Sequence, residues 1–414
     1  MEQSQQVTIE RQHGDESELE IATQLVHAGE RLPPLSGRPV ATPIYTTTTY
    51  TYDTMAEVDE VFAGAQPGYA YSRFGNPTVS ALEVAMQTLE KGVGACAYGS
   101  GMAAIHAALL ACDLVPGATV LAAQDLYGTT TNLLHTVFGK LGVQTVLADF
   151  SDAKQLESIA REVRPRVLIA ETISNPLLKV CDIEACAEVA HGVGAQLIID
   201  NTFASPYLCR PLEHGADVVV HSATKYLSGH GDATGGVAIA QEAATLDALA
   251  QARNLIGGVL SVWEAHEIMR GIKTLAVRME RQCANARQLA EYLGDNSRVA
   301  RVHHPGLPAS KSEQRIVKRM LRAPHTGALV SIELREDTRE AAYRFMDALK
   351  LCVRLTSLGD VVTCVLHPVT ASHRNLSLAH RQQIGITDSL VRISVGIEDI
   401  GDIIADIEQA LAAR

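Results

Sequence analysis

The chain has no apolar run long enough to span a bilayer, and its first twenty residues, MEQSQQVTIERQHGDESELE, lack the apolar core of a signal peptide. No membrane association is expected, and the opening segment reads as a polar, loosely ordered arm of a cytoplasmic protein. A basic excess is also missing: over 414 residues the formal net charge is −12. Surfaces that neutralise phosphate backbones show the opposite balance, so small metabolites rather than nucleic acid are the expected partners. The eight cysteines form no CxxC pair and no dense framework; scattered through apolar segments such as GACAYG and LLACDL, they are expected to be reduced core residues. Neither His303-His304 nor the pair His221 and His230 has the spacing of a zinc site, so loop or strand-end positions are expected and no metal. Internal repeats and low-complexity segments are absent.

What is present is ample core. Hydrophobic residues make up 47% of the chain and charged residues 20%, enough for two or more domains. From about residue 78, helix-like amphipathic segments alternate with short apolar runs of the kind found in strands buried on both faces. The six runs ATVLAA, QTVLAD, RVLIAE, AQLIID, ADVVVH and GGVAIA are the expected strands, with helices such as TTNLLHTVFGKLG and IEACAEVAHGVG between them. That alternation specifies an α/β domain on a large, mostly parallel sheet. After residue 255, two long helical patterns lead to a weak strand ARVHHPG, then TGALVSIEL, a helix near TREAAYRFMDALK, a polar stretch, LVRISVG and a closing helix. This part predicts a smaller α+β domain. Methionines and aromatics in VWEAHEIMRGIKTLAVRM, Trp263 among them, are expected in the core or at an interface.

Chemistry gathers at strand ends. Asp200 closes AQLIID, and Lys225 follows ADVVVH in the stretch HSATKYLSGHGDATGG, so an acid and an amine converge on the rim where open α/β sheets bind ligands. A structural salt bridge, or two separate helix caps, would explain them equally well. Gly99-Ser100-Gly101-Met102 precedes a helical run, where backbone N–H groups and the helix dipole can receive a phosphate; a tight turn is the alternative. Ser222 and Thr224 could add two hydrogen bonds to that phosphate, or cap the local backbone. Taken together, a carboxylate for a ring nitrogen, a helix start for a phosphate and an amine for an aldehyde describe a site for pyridoxal 5'-phosphate. Burial beside another cation can keep such a lysine unprotonated and reactive.

From about Thr23 to the C-terminus the chain resembles the Cys/Met metabolism family of pyridoxal phosphate enzymes. The motif SATKYLSGHGD is supported, in order, by TxxxHAG at Thr23 to Gly29, YSRFGNPT at Tyr71 to Thr78, GSGMAA, DLYGTT, ETISNP, IDNTFASPY, SLGD and LVRISVGIED. The resemblance implies the aspartate-aminotransferase-like fold (fold type I) and a homotetramer built from dimers that share active sites. It implies an N-terminal arm and subunit-contacting segment over 1–70, a large cofactor-binding domain over 71–265 and a C-terminal domain over 266–414. By position, Lys225 matches the lysine that carries the cofactor, Asp200 the partner of its ring nitrogen, and Tyr127 the stacking tyrosine and general acid. Gly101, Met102, Ser222 and Thr224 match the phosphate cradle, while Tyr71 and Arg73 match residues that reach a neighbouring subunit's phosphate. Asn175, Ser357 and Arg392 match the groups around the substrate carboxylate and cofactor oxygen, where a planar guanidinium fork suits a carboxylate.

Those roles imply that Lys225 removes the Cα proton of an amino acid while Asp200 keeps the ring nitrogen protonated, and that Tyr127 assists departure of a group from Cγ. The C-terminal half, with MRGIKTLAVRMERQCANA and IGDIIADIEQAL, resembles the methionine γ-lyase branch. Three places depart from the family's patterns: Thr129 stands where that branch has cysteine, Asn254 and Leu255 where it has Lys-Asp, and Val362 where cystathionine enzymes often carry glutamate. Thr129 and Val362 are therefore candidate substrate-binding positions. The expected reaction is α,γ-elimination from a homoserine-type amino acid such as methionine, homocysteine or canavanine, giving 2-oxobutanoate and ammonia. The segment LHPVTASHRNL resembles the O-succinylhomoserine sulfhydrylases, so γ-replacement by a thiol is the alternative. His367 and His373 lie in that segment, as loop residues or substrate contacts.

Overall fold

The apolar runs, each needing cover on both faces, assemble into one seven-stranded sheet in a computed structural model that describes residues 39–374 and 376–413. The arm expected over the first twenty residues and the motif at Thr23 to Gly29 lie outside the described residues. The chain divides into two compact units, Met1–Pro43 and Ile44–Arg414. Residues 39–43 of the first carry no regular element, and the second holds two sheets.

The larger sheet comprises β1 (Gly94–Tyr98), β2 (Thr119–Ala123), β3 (Gln144–Ala148), β4 (Val167–Glu171), β5 (Gln196–Asp200), β6 (Val218–Ser222) and β7 (Gly236–Ala240), in the order β1-β7-β6-β5-β4-β2-β3. The six expected runs are all strands. A seventh, β1, was not expected: its GACAY sequence was read only as a cysteine-bearing apolar segment, because glycine and alanine carry little strand propensity. Strands β2 to β6 pair in parallel, whereas β7 runs antiparallel to both β6 and β1. The reason lies in the connection. No crossover helix separates Ser222 from Gly236, so the chain cannot return to the opposite edge and must re-enter where β6 ends. Lys225 is held in that return, at the carboxyl rim of the parallel strands.

The second sheet joins β8 (Val299–His303), β9 (Leu329–Leu334), β10 (Val353–Arg354), β11 (Cys364–Leu366) and β12 (Leu390–Ser394) in the order β10-β11-β12-β9-β8. β10 and β11 correct the polar stretch expected there; they are two and three residues long, too short for a legible alternation. Each sheet has its own apolar core, one built around β1 to β7 and one from residues such as Leu289, Phe345, Ile393 and Ile407. The two long helical patterns are Val262–Ile272 and Leu275–Gly294. Trp263 is not a core residue of this chain: it is 60% exposed. None of the eight cysteines is in a disulfide, and seven of them are buried.

Candidate active site

The carboxyl ends of β4, β5 and β6, together with the start of the helix Gly101–Ala111, surround a cavity of about 470 Å³. Gly101, Met102, Tyr127, Thr129, Asn175, Asp200, Ser222, Thr224, Lys225 and Arg392 all line it. Parallel pairing brings Asp200 beside Glu171, residue for residue, so two carboxylates share this rim.

Hydrogen bonds link these groups in one continuous chain. Lys225 Nζ donates to Ser357 Oγ at 2.9 Å, and the Ser357 carbonyl accepts from Arg392 Nη2 at 3.2 Å. Arg392 Nη1 donates to Asn175 Oδ1 at 2.8 Å, and Asn175 N donates to Glu171 Oε2 at 3.0 Å. Glu171 Oε1 accepts from Tyr127 N at 2.6 Å. Glu171 is thus the residue that ties the tyrosine to the carboxylate end, and no role was expected for it. A signal was available: RVLIAE and AQLIID are neighbouring strands that both end in an acid.

Burial sets the electrostatics. It lowers the proton affinity of Lys225, an effect reinforced by the Arg392 charge, so the charged form is disfavoured. Burial raises Asp200, while the Thr202 hydroxyl and N–H hold it back. Glu171 is pushed well above the usual carboxylate range by burial and then by the Asp200 charge, with the Tyr127 and Asn175 N–H groups opposing. One rim therefore carries two acids that resist being charged together.

The pyridoxal phosphate expected from the sequence fits these residues. A Cβ on Gly101 would sit 2.7 Å from Ser222 Cβ, so only glycine lets the helix start and the Ser222 turn close around a small anion. Ser100 caps the helix by accepting from Ala103 N, which leaves the leading N–H groups of Gly101 and Met102 for a phosphate. Thr224 Oγ1 accepts from Gly235 N at 3.0 Å and so pins the turn as well as facing the cavity. At the far end, buried Arg392 Nε has no partner among the described residues, which suits an incoming carboxylate.

Other expected residues lie apart. Tyr71 and Arg73 do not line the cavity; Tyr71 is exposed, and Arg73 Nη1 donates to the Asn254 carbonyl at 2.7 Å. Val362, 37% exposed, is also outside the lining. His367 bonds to the Asp388 carbonyl and to Thr370, while buried His373, pushed down to about 4 by burial, bonds to Ser372. Their neighbours Ala371 and Ser372 line the cavity instead. Among the described residues no cluster of metal-ligating side chains occurs, and no helix is long and apolar enough to cross a membrane.

Comparison with known proteins agrees with this geometry. Residues 22–412 match the family described as Cys/Met metabolism PLP-dependent enzyme. An L-methionine gamma-lyase from Pseudomonas putida is 42% identical over 97% of this chain and 99% of its own length. A cystathionine beta-lyase from Coxiella burnetii is 40% identical, over 94% and 97%. Among solved structures, cystathionine gamma synthase from Xanthomonas oryzae pv. oryzae, in complex with aminoacrylate and cysteine, has a TM-score of 0.84 at 34% identity, covering 90% of this chain and 93% of that one. A rim that places an amine, a buried acid and a helix start with free N–H groups together, on a chain matched along nearly its whole length, belongs to a pyridoxal-phosphate-dependent enzyme of the Cys/Met metabolism family.

Proposed function

We propose that this enzyme is a γ-lyase whose substrate is a homoserine-type amino acid with an uncharged group on Cγ, methionine or homocysteine foremost. The observation that carries this is the distribution of charge in the cavity. Among the described lining residues the charged side chains are Glu171, Asp200, Lys225 and Arg392, and the remaining wall includes Ile105, Thr129, Leu358, Leu366 and Ala371. A distal carboxylate or ammonium placed against that wall would be desolvated without a partner, at a cost on the order of several kcal/mol.

Bound pyridoxal phosphate supplies an aldehyde that captures the substrate amine and a protonated ring that accepts charge from Cα. Gly101, Met102, Ser222 and Thr224 would hold its phosphate, and Asp200 would hold the proton at the ring nitrogen. Lys225, whose charge is disfavoured by burial and by Arg392, would take the Cα proton. Arg392, braced by Asn175 and the Ser357 carbonyl, grips the substrate carboxylate. Tyr127, fixed through its backbone by Glu171, lines the cavity where it would cover the cofactor ring and deliver a proton to the leaving group.

Tyr71 and Arg73 are well placed to serve a second chain because they lie away from their own cavity. This supports active sites shared between two chains, and a fully active monomer in sedimentation would exclude them; the homotetramer and the cytoplasmic location are proposed on the family resemblance alone. The division into a subunit-contacting segment, a cofactor domain and a C-terminal domain is proposed on the same resemblance.

The test is a panel of methionine, homocysteine, canavanine, cystathionine and O-acylhomoserines, with and without sulfide. Release of 2-oxobutanoate from methionine or homocysteine without added thiol is expected, and Lys225→Ala should lose both visible colour and turnover. No 2-oxobutanoate from any of them would rule out the lyase. Likeness to the Xanthomonas synthase favours γ-replacement as the second reading, which product formation only in the presence of sulfide would establish.

A further inference from the structure

On the face of the larger sheet opposite the cavity lies a buried polar cluster that touches neither cofactor site nor substrate site. Side chains alternate along a strand, so Asp200 and Ser222 face the cavity while Asn201 and His221, one residue further or earlier, face away. There they meet Glu90, the last residue of the helix Pro77–Glu90, which is 0% exposed. Glu90 Oε1 lies 2.6 Å from His221 Nε2 and accepts from Asn201 Nδ2 at 2.9 Å. Asn201 Oδ1 in turn accepts from Thr172 Oγ1 at 2.7 Å, so the cluster spans the ends of β4, β5 and β6. His221, Asn201 and Thr172 are all buried.

We infer that the Glu90–His221 pair, through Asn201 and Thr172, is a positioning device that holds Asp200 against the ring nitrogen of the cofactor. Three observations support this. First, the cluster is stitched to Asp200 by adjacent backbone: Asn201 N donates to the Val220 carbonyl at 2.8 Å, Thr202 N donates to Asp200 Oδ1 at 3.0 Å, and Ser222 N donates to Thr202 Oγ1 at 2.8 Å. A shift of Asn201 or His221 therefore moves the acid and one wall of the phosphate cradle together. Second, interaction with the His221 imidazole favours the anionic form of Asp200, against the burial that disfavours it. Third, a carboxylate buried this completely is costly unless its partner holds a proton for it, and its second oxygen, Oε2, has no partner among the described residues. Simple packing would be met more cheaply by an apolar residue at position 90.

The inference rests on the reading that Asp200 partners the ring nitrogen. It is tested by equilibrium binding of two cofactors to the full-length apoprotein: pyridoxal 5'-phosphate, and its deaza analogue in which carbon replaces the ring nitrogen. The unaltered protein should prefer the natural cofactor. In Glu90→Gln that preference should fall by about threefold or more, within the coupling expected inside one hydrogen-bond network, with affinity for the analogue unchanged. Thr172→Val, which breaks the other end of the network and leaves the charges in place, should reduce the preference in the same sense; it carries the measurement if Glu90→Gln fails to fold. Equal weakening of both cofactors, or no change in either, would show a purely structural cluster and overturn the inference while leaving the assignment of Asp200 intact. No preference in the unaltered protein would overturn that assignment and the inference with it.

Discussion

Arg392 sits buried on β12 with two nitrogens donating into the protein and Nε left unpartnered among the described residues. Burial disfavours its charge, and an unsatisfied buried N–H costs about 1–3 kcal/mol. A bound carboxylate, as proposed for the substrate, would remove both penalties. Lysine offers charge without a fork. Arg392→Lys is therefore expected to raise KM by about tenfold or more, equivalent to about 1.4 kcal/mol, with a smaller change in kcat. Steady-state kinetics decide it, and an unchanged KM would remove Arg392 from carboxylate binding. Lys225 and Asp200 were legible as residues because ionisable groups beside apolar runs are conspicuous, whereas Arg392 was reached only through the family resemblance. Glu90 was not, since nothing local distinguishes a buried acid from a surface one, and Glu171 showed only as the end of one of two apolar runs that close in an acid.

The return from Ser222 to Gly236 is the element on which the chemistry depends. Arg278 clamps it from the helix Leu275–Gly294: Nη1 donates to the Tyr226 carbonyl and Nη2 to the Gly271 carbonyl, each at 2.8 Å. Gly229, at φ +70°, lets that guanidinium approach; a Cβ there would lie 2.0 Å from Arg278 Nη1. Gly229→Ala is thus both strained and obstructed, and it should destabilise the fold by about 1–3 kcal/mol and weaken cofactor binding. Urea unfolding and cofactor titration measure the two effects; stability within error of the parent would refute the clamp. At this scale the strands with strong apolar character, β2 to β7, were readable. Strands β1, β10 and β11 were not, because small residues or two to three positions carry no periodicity, and pairing alone makes them strands.

Across the whole molecule, acid stability follows from histidines buried in their neutral form. His304 is pushed down to about 4 by burial and does not line the cavity, with Nδ1 accepting from Gly306 N at 3.0 Å. The unfolded chain takes up a proton as pH falls through about 6.5, while the folded chain resists until about 4. The unfolded state then binds more protons, so the stabilisation is complete above about 6.5 and is lost progressively as pH falls to about 4. His373 adds a second group with the same sign. Unfolding free energy should therefore drop across this window, by about 1.4 kcal/mol per pH unit for each group at most. His304→Asn should flatten the slope; an unaltered slope in urea titrations at several pH values would show that His304 does not drive it.

By itself the sequence determined the cofactor, the α/β class and the residues at the strand ends, because apolar periodicity and unusual local chemistry are written in neighbouring positions. Only the tertiary structure decided which of those residues share one rim: pairing sets Glu171 beside Asp200, and Arg392 reaches Asn175 from 217 positions away. It likewise placed Val362 outside the cavity and Thr129 on its wall. Long-range register and burial, not composition, fix such distances, since an acid's charge and partners depend on what the fold brings against it.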